Sequence, residues 1–171
     1  LRKLMENMGE FFGNPVLPEI KILVRSEIPI SSGMGAGAAI SVAMIRAYAK
    51  MMGLPITPEE ISSLAFEIEK IYHGTPSGID NTVITYAKPI LYQPSQPMIP
   101  LNVLTPFRII IADTGIKKET ARVVAQVHSR WSADPYKYGE IFSRIGEVVI
   151  HARRCIESGL LAEIGTLMNR N

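Results

Sequence analysis

The chain has 171 residues, a length that fits one domain or parts of two. Its formal net charge of +2 is too small to predict binding to nucleic acid or to an anionic membrane. Charge or glycine interrupts every apolar run well before about 18 residues, so the sequence predicts no membrane-spanning helix. The single cysteine, Cys155, excludes an internal disulfide framework and favours a cytoplasmic location.

The two ends of the chain resemble internal positions of a longer protein. The chain begins at Leu1 rather than Met, and it stops at Asn171 without a helix-ending Gly or Pro. We therefore expect a fragment that is truncated at both ends. Its hydrophobic content of 47% is still high enough to predict a real core.

The first third of the chain predicts two helices that flank a strand and a loop. Apolar side chains recur with helical spacing over residues 2–12, and residues 19–28 alternate in the manner of a strand. A glycine-rich loop, Ser31–Gly37, then leads into a helix of small residues from 38 to 52.

The next helix has a clear predicted start. Thr57 is expected to cap it, Pro58 to occupy its first position, and Glu60 to complete a capping box. The pattern ends at about Tyr72 and is followed by a turn. Residues 80–86 form a short helix or strand, and their periodicity does not decide between the two.

The remainder of the chain begins with a segment rich in proline, residues 89–106, which predicts edge strands and a linker. Residues 107–112 are continuously apolar and predict a buried strand. Helices are expected over about 118–130, 135–158 and 160–170.

The glycine-rich loop is the first candidate binding site. Residues 29–39 read PISSGMGAGAA, and their alternating glycines open a helix. Backbone N–H groups in such a loop, together with a helix N-terminus, bind phosphate well. The spacing differs from the Rossmann fingerprint, and the Gly-Lys-Ser/Thr of a Walker A loop is absent. A turn that merely permits tight helix packing is the alternative, and the spacing alone does not choose.

The second candidate site is the stretch EKIYHGTPSGIDN. Glu69 falls near a helix C-terminus, where the helix dipole disfavours a carboxylate unless a cation compensates it, and Lys70 is one candidate for that cation. Asp80 follows a rigid turn, and from these residues alone the favoured role for it is the N-cap of the following segment, with a role in a ligand site as the alternative. His73 and Ser77 are expected to shape the turn, although the Ser77 hydroxyl is also placed to face a substrate.

The third candidate site is Asp113-Thr114-Gly115 and the residues up to Thr120. A strand end, a turn and a following helix are typical of ligand contact. A capped helix start with solvated lysines is the alternative, and it is favoured when this motif is considered alone.

In order and spacing, the three motifs together resemble those of mevalonate kinases in the GHMP kinase family. The loop 29–39 is similar to the family's Gly-Leu-Gly-Ser-Ser-Ala motif, and residues 73–81 resemble the more specific His-Gly-x-Pro-Ser-Gly-x-Asp-Asn. The eleven-residue step from Glu69 to Asp80 (80 − 69 = 11) also fits. Residues 113–120 are similar to the strand and turn that open the family's second domain.

The resemblance implies an α+β fold of two domains, both partial here. Residues 1–103 would belong to the N-terminal ATP-binding domain, which is similar to ribosomal protein S5 domain 2, and residues 104–171 to a ferredoxin-like C-terminal domain. The implied activity is ATP-dependent phosphorylation of the primary hydroxyl of mevalonate to 5-phosphomevalonate, a step of isoprenoid precursor biosynthesis.

The resemblance also implies roles for individual residues. Asp80 would orient and deprotonate the substrate hydroxyl, and Glu69 would hold Mg²⁺. The substrate contacts implied with least support are His73, Ser77 and Thr120. The ATP phosphates would be bound by the loop residues Ser31, Ser32, Gly33, Met34, Gly35, Ala36 and Gly37.

Three departures from the family pattern accompany this resemblance. Ala36 and Gly37 replace two serines, one of which is a magnesium ligand in the family, so the metal site is put in question. The family's early lysine-bearing segment and its C-terminal glycine-rich loop would lie outside this chain. We therefore expect the chain alone not to phosphorylate mevalonate.

The sequence leaves other functions open. Another GHMP kinase, acting on phosphomevalonate or a sugar, is one alternative, and a non-catalytic binding protein with the same fold is another. Mevalonate is the expected partner, nucleic acid and membranes are not expected, and a homodimer stays open.

Overall fold

The structure is a computed structural model that describes residues 2–13, 19–28, 33–73, 76–112 and 120–171. The chain divides into two compact units, Leu1–Lys88 and Pro89–Asn171. The domain boundary predicted after residue 103 comes from the family resemblance, whereas the two units are separated by their internal contacts. The predicted boundary therefore stays a prediction. Within the described ranges, no helix has the length and apolar character needed to cross a membrane.

Among the described residues of the first unit, the regular secondary structure is all helical. The helices are α1 (Arg2–Phe11), α2 (Ala36–Met52), α3 (Pro58–His73) and α4 (Ile79–Tyr86). Helices α2, α3 and α4 pack against one another, and α1 packs against α2 and α3. Their shared core consists of Leu4, Met5, Met8, Val42, Met44, Ile45, Tyr48, Ile61, Leu64, Ala65 and Ile68.

The start of α3 confirms the predicted capping box. The backbone N–H of Thr57 donates to Oε2 of Glu60 at 2.7 Å, and the N–H of Glu60 donates to Oγ1 of Thr57 at 3.2 Å. Pro58 takes the first helical position, where its missing N–H costs nothing. The helix then runs to His73, one residue beyond the predicted end.

Two other boundaries are settled by the structure. Helix α2 begins at Ala36, so the predicted start at Ala38 was two residues late and the helix takes the last two residues of the glycine-rich loop. The segment whose periodicity allowed either a helix or a strand is the helix α4.

Two predicted strands are wrong for the structure as described. Residues 19–28 and 107–112 have no regular secondary structure, and Ile110, expected in a buried strand, is 94% exposed. A strand is stabilised by hydrogen bonds to a neighbouring strand. Neither segment pairs with another among the described residues, so their apolar patterns alone do not produce a sheet.

The second unit opens with a short hairpin. Strands β1 (Ile90–Leu91) and β2 (Ile99–Pro100) pair antiparallel, with Ile90 opposite Pro100 and Leu91 opposite Ile99. The N–H of Leu101 donates to the carbonyl of Pro89 at 2.9 Å, one step beyond the ladder. The prediction of edge strands in the proline-rich segment is confirmed.

Three helices follow in the second unit from Thr120 onward, and their positions agree with the predicted ones. They are α5 (Thr120–Ala133), α6 (Pro135–Ser158) and α7 (Leu161–Arg170), and α6 packs against both of the others. Asp134 caps α6 by accepting from the N–H of Lys137 at 3.1 Å. Cys155 is buried with Val148 and Leu167 where α6 meets α7. Burial raises the pKa of the Cys155 thiol, and the Glu163 carboxylate adds to the rise.

We expect Thr57→Ala to lower the free energy of unfolding by about 0.5–2 kcal/mol, because it removes the side-chain acceptor of the capping box. Urea unfolding followed by circular dichroism measures the change. Ser63→Ala is the matched control, since Ser63 is exposed within α3 and Ala is the better helix former. Equal stability of Thr57→Ala and the parent chain would show that the cap contributes nothing.

Candidate active site

The N-terminus of α2 lacks a side-chain cap. Its N-cap residue is Gly35, with φ 66° and ψ 28° in the left-handed region, and no side chain bonds to the cap. The first intrahelical bond runs from the N–H of Ala39 to the carbonyl of Gly35 at 2.9 Å. The N–H groups of residues 36–38, in the first turn of α2, have no intrahelical acceptor and lie at the positive end of the helix dipole. This helix end is therefore suited to an anion such as phosphate.

Besides the N-cap residue Gly35, the predicted phosphate-binding residues fall into three groups. Gly33 and Met34 are exposed and precede the cap, and the backbone of Gly33 also lies in the left-handed region at φ 75°. Ala36 and Gly37 belong to the first turn of α2. The remaining two, Ser31 and Ser32, lie outside the described residues.

Gly35 also brings two of the sequence motifs together. A Cβ placed on Gly35 would lie 3.0 Å from Cδ1 of Ile84 and 3.6 Å from Cγ of Asp80. The carboxyl group of Asp80 on α4 therefore lies against the backbone at the N-cap of α2. Both the left-handed backbone and the lack of space require glycine at this position.

Asp80 is not the N-cap of α4, so that alternative role is wrong. Gly78 takes the N-cap position with φ 82°, and Asp80 lies in the first turn of the helix. The residue is exposed to solvent. Its carboxylate is thus available to a ligand rather than committed to capping a helix.

Hydrogen bonds that sequence reasoning missed hold α4 in place. Nδ2 of the buried Asn81 donates to both the carbonyl and the hydroxyl oxygen of Ser62 on α3, each at 3.0 Å. Nη2 of Arg46 on α2 donates to the carbonyl of Thr85 at 2.5 Å. These bonds fix α4 against both neighbouring helices and so position Asp80. Asn81 belongs to the quoted motif, but no local signal reveals that its partner is Ser62.

A further bond joins the last turn of α4 to the start of α3. The hydroxyl of Tyr86 donates to Oε1 of Glu59 at 2.7 Å. This hydrogen bond lowers the pKa of Glu59, while burial, followed by the bond to Glu59, raises the pKa of Tyr86. Because the pKa of Glu59 is lower in the folded chain, its contribution to stability is present at neutral pH. It is lost as the pH falls through that lowered pKa.

Glu69 lies one turn before the end of α3 at His73, and its side chain is only 8% exposed. A carboxylate in such a position is costly unless a cation or hydrogen bonds compensate it. Lys70, the cation considered from the sequence, directs its ammonium to Oε1 of Glu67 at 2.6 Å and lies 4.6 Å above the ring of Phe66. Glu69 is thus a buried carboxylate on the helix that packs against both α2 and α4.

The remaining predicted site residues are described only in part. Ser77 precedes α4, and its hydroxyl accepts the N–H of Ile79 at 3.3 Å, which confirms its turn-forming role. His73 is the last residue of α3 and Thr120 is the first of α5, but their side chains lie outside the described part of the chain. Residues 113–119 also lie outside it.

The geometry of the first unit thus places an uncapped helix N-terminus beside an exposed carboxylate. Among known proteins, the family model for the GHMP kinases N terminal domain matches residues 1–88. The chain belongs to the GHMP kinase family.

Several individual proteins are similar to the chain. It is 33% identical over 161 residues to the mevalonate kinase of Thermococcus sibiricus, covering 89% of this chain and 46% of that protein. It is 34% identical over 158 residues to the mevalonate kinase of Aeropyrum pernix, covering 92% and 48%. The crystal structure of L. major mevalonate kinase in complex with R-mevalonate matches with a TM-score of 0.77 and 31% identity, covering 99% of this chain and 53% of that one. The chain thus spans about half the length of the curated relatives it matches.

We expect Gly35→Ala to destabilise the first unit by about 1–3 kcal/mol, because a non-glycine residue is strained in the left-handed region. The new methyl would also press on Ile84 and displace Asp80 from the end of α2. Thermal and urea unfolding measure the loss.

Gly37→Ala is the matched control for this substitution. Gly37 lies within the helix, and a Cβ placed there has no neighbour within 4 Å. Ala in a helix interior is more stable than Gly by about 0.5–1 kcal/mol. If both variants were equally stable, the close packing at Gly35 would be disproved.

Proposed function

We propose that this chain forms part of an ATP-dependent kinase that phosphorylates the primary hydroxyl of mevalonate to 5-phosphomevalonate, a step of isoprenoid precursor biosynthesis. The observation that carries the proposal is the 3.6 Å approach of Asp80 Cγ to the Cβ position of Gly35. It puts a carboxylate beside a helix end suited to phosphate. Phosphoryl transfer needs such a pairing of anion donors with a group that orients the acceptor hydroxyl.

The proposed nucleotide site uses backbone groups. The N–H groups of the first turn of α2, together with the helix dipole, hold the ATP phosphates. Gly33 and Gly35 supply the left-handed conformations that turn the chain into the helix. Ser31, Ser32 and Met34 complete the proposed loop. ATP supplies the phosphoryl group that is transferred.

Asp80 is the proposed catalytic base. It is exposed in the first turn of α4 and lies next to the proposed phosphate site. Its role is to accept a hydrogen bond from the primary hydroxyl of mevalonate, align that oxygen with the transferred phosphorus, and take up the proton. Asn81 and Arg46 support this role by fixing the position of α4.

The described residues fit a magnesium ion through one carboxylate. Mg²⁺ prefers hard oxygen ligands and is often held by one or two carboxylates together with substrate phosphates and water. Glu69 is the proposed protein ligand, because it is a buried carboxylate on a helix that contacts α2. Ala36 and Gly37 have no hydroxyl group, so water would fill the place of the serine ligand.

Other parts of the proposal rest on the family resemblance alone. They are contacts from His73, Ser77 and Thr120 to mevalonate and a ferredoxin-like second domain that begins after residue 103. The proposed cytoplasmic location rests on the single cysteine, and a homodimer stays open. The substrate assignment is supported by the relatives named mevalonate kinase, and the bound R-mevalonate belongs to the L. major protein.

A second function is favoured by one observation. Ala36 and Gly37 lack the hydroxyl groups of the family motif, and a binding protein that retained the fold without catalysis would tolerate that loss. Nucleotide binding and turnover, measured together in the full-length gene product, distinguish the two functions. Binding without turnover of mevalonate, phosphomevalonate or a sugar would favour the binding protein.

Asp80→Asn should lower kcat for mevalonate by roughly 100-fold or more, since a positioned acid–base group contributes about that factor. Nucleotide affinity should change little, because the phosphate donors belong to α2. A coupled ADP-release assay and nucleotide titration on the full-length gene product measure the two quantities.

Asp134→Asn is the control for Asp80→Asn. Asp134 caps α6, and Asn is an equally good N-cap, so this variant should keep normal activity. Near-normal kcat in Asp80→Asn would remove Asp80 from the mechanism.

Glu69→Gln should raise the Mg²⁺ concentration required for half-maximal rate, because the amide loses the negative charge that holds the cation. Rates measured over a magnesium series at fixed ATP give this value. Glu67→Gln is the control, since Glu67 lies on the same helix and pairs with Lys70. Superimposable magnesium curves for the parent protein and Glu69→Gln would contradict the assignment.

A further inference from the structure

A side-chain cluster in the second unit has no part in the proposed kinase chemistry. His151 and Cys155 lie on α6, and Glu163 lies in the first turn of α7. Nε2 of His151 is 3.1 Å from Oε2 of Glu163, and Sγ of Cys155 is 3.7 Å from the same oxygen. None of the separations among these three atoms exceeds 4.8 Å. An imidazole, a thiol and a carboxylate therefore converge on one point.

The local fold explains why they converge. His151 and Cys155 are four residues apart and share one face of α6. The helix ends at Gly159 in the left-handed region, and the N–H of Leu160 donates to the carbonyl of Cys155 at 2.9 Å. This tight reversal, typical of glycine-terminated helices, returns the chain so that Glu163 faces the end of α6.

The cluster is buried on one side and open on the other. Cys155 is only 1% exposed, whereas the side chains of His151 and Glu163 are 48% and 51% exposed. The sulfur therefore forms the floor of the cluster, and the nitrogen and oxygen form its rim. Solvent can reach the space between the rim atoms.

The donor set and spacing match those of a zinc site. Zn²⁺ is bound by Cys, His and carboxylate groups at about 2.0–2.3 Å, which places tetrahedral ligand atoms roughly 3.5 Å apart. The two distances to Oε2 of Glu163, 3.1 Å and 3.7 Å, bracket that value. The ligand atoms of all three residues lie within 4.8 Å of one another, so rotation of the exposed His151 side chain would bring its nitrogen closer to the sulfur. Three protein ligands with an open fourth position are also a common zinc arrangement.

We propose that His151, Cys155 and Glu163 bind a zinc ion, with water as the fourth ligand, and that the ion fastens α7 to α6. The metal bonds to Nε2, Sγ and a carboxylate oxygen. The Cys155 thiol gives up its proton to solvent, and no electron is transferred. The site does not depend on the proposed kinase function, because its ligands belong to the second unit alone.

The chain allows a specific spectroscopic test, because Cys155 is its only cysteine. Cobalt(II) occupies zinc sites and gives a thiolate-to-metal charge-transfer band, so any such band reports Cys155. The purified, reduced, metal-free chain is titrated with Co²⁺ alone. We expect the band to saturate at one Co²⁺ per chain and to disappear when Zn²⁺ displaces the cobalt. Zn²⁺ should also raise the Tm of the parent chain.

Variants of the three ligands test the composition of the site. Cys155→Ala should abolish the band, and His151→Gln and Glu163→Gln should each weaken Co²⁺ binding about tenfold or more. His128→Gln on α5 and Glu157→Gln on α6 are the matched controls and should bind like the parent. Glu157 pairs with Arg153 only two residues from Cys155, so it controls for a general loss of negative charge.

The outcomes are decisive even if Cys155→Ala is poorly folded, because Glu163 is half exposed and its Gln variant keeps the same shape. Absence of a charge-transfer band in the parent chain at saturating Co²⁺ would overturn the proposal. Unchanged Co²⁺ affinity in Glu163→Gln would also overturn it, because the bound metal would then not use the Glu163 carboxylate.

Discussion

The candidate site depends on how closely the backbone at the N-terminus of α2 approaches α4. Gly35 is the point of approach, because any Cβ there would meet Ile84 at 3.0 Å while its backbone lies in the left-handed region. One residue without a side chain thus satisfies two requirements at once. It ends the loop in a conformation that starts a helix with free N–H groups, and it admits the Asp80 carboxyl beside them. A bulkier residue would separate the N-terminus of α2 from the Asp80 carboxylate.

Directional bonds complement this close approach. Apolar packing of α4 on its neighbours is compatible with small shifts along the helix axis, since hydrophobic contacts are non-directional. The paired bonds from Asn81 to Ser62 and the bond from Arg46 to the Thr85 carbonyl permit one position only. The Tyr86–Glu59 bond adds a restraint at the far end of the same helix. Asp80 is therefore held by residues that do not themselves face a substrate.

The features that could be predicted from the sequence are those encoded locally. The capping box at Thr57 and Glu60 and the helices of the second unit follow from residues a few positions apart, and the structure confirms them. The strands expected at residues 19–28 and 107–112 require partners distant in sequence, and an alternating or apolar pattern does not specify a partner. For the same reason the motifs could be recognised singly, whereas the contact between Gly35 and Asp80 and the role of Asn81 could not. The side chains of Ser31, Ser32, His73 and Thr120 lie outside the described residues, so their predicted roles stay predictions.

At Ala36 and Gly37 the loop keeps its backbone N–H groups but has no side-chain hydroxyl groups. A site built from backbone N–H groups at a helix N-terminus does not depend on which side chains follow, because the donors and the dipole belong to the main chain. Replacing hydroxyl-bearing residues by Ala36 and Gly37 therefore preserves anion binding while it removes oxygen ligands for a cation. In the proposed kinase, other oxygen atoms would hold the cation, and among the predicted site residues in the described part of the first unit the buried carboxylate is that of Glu69. The proposed phosphate site on α2 and the proposed metal ligand on α3 would then be separate elements that are joined by the packing of the two helices.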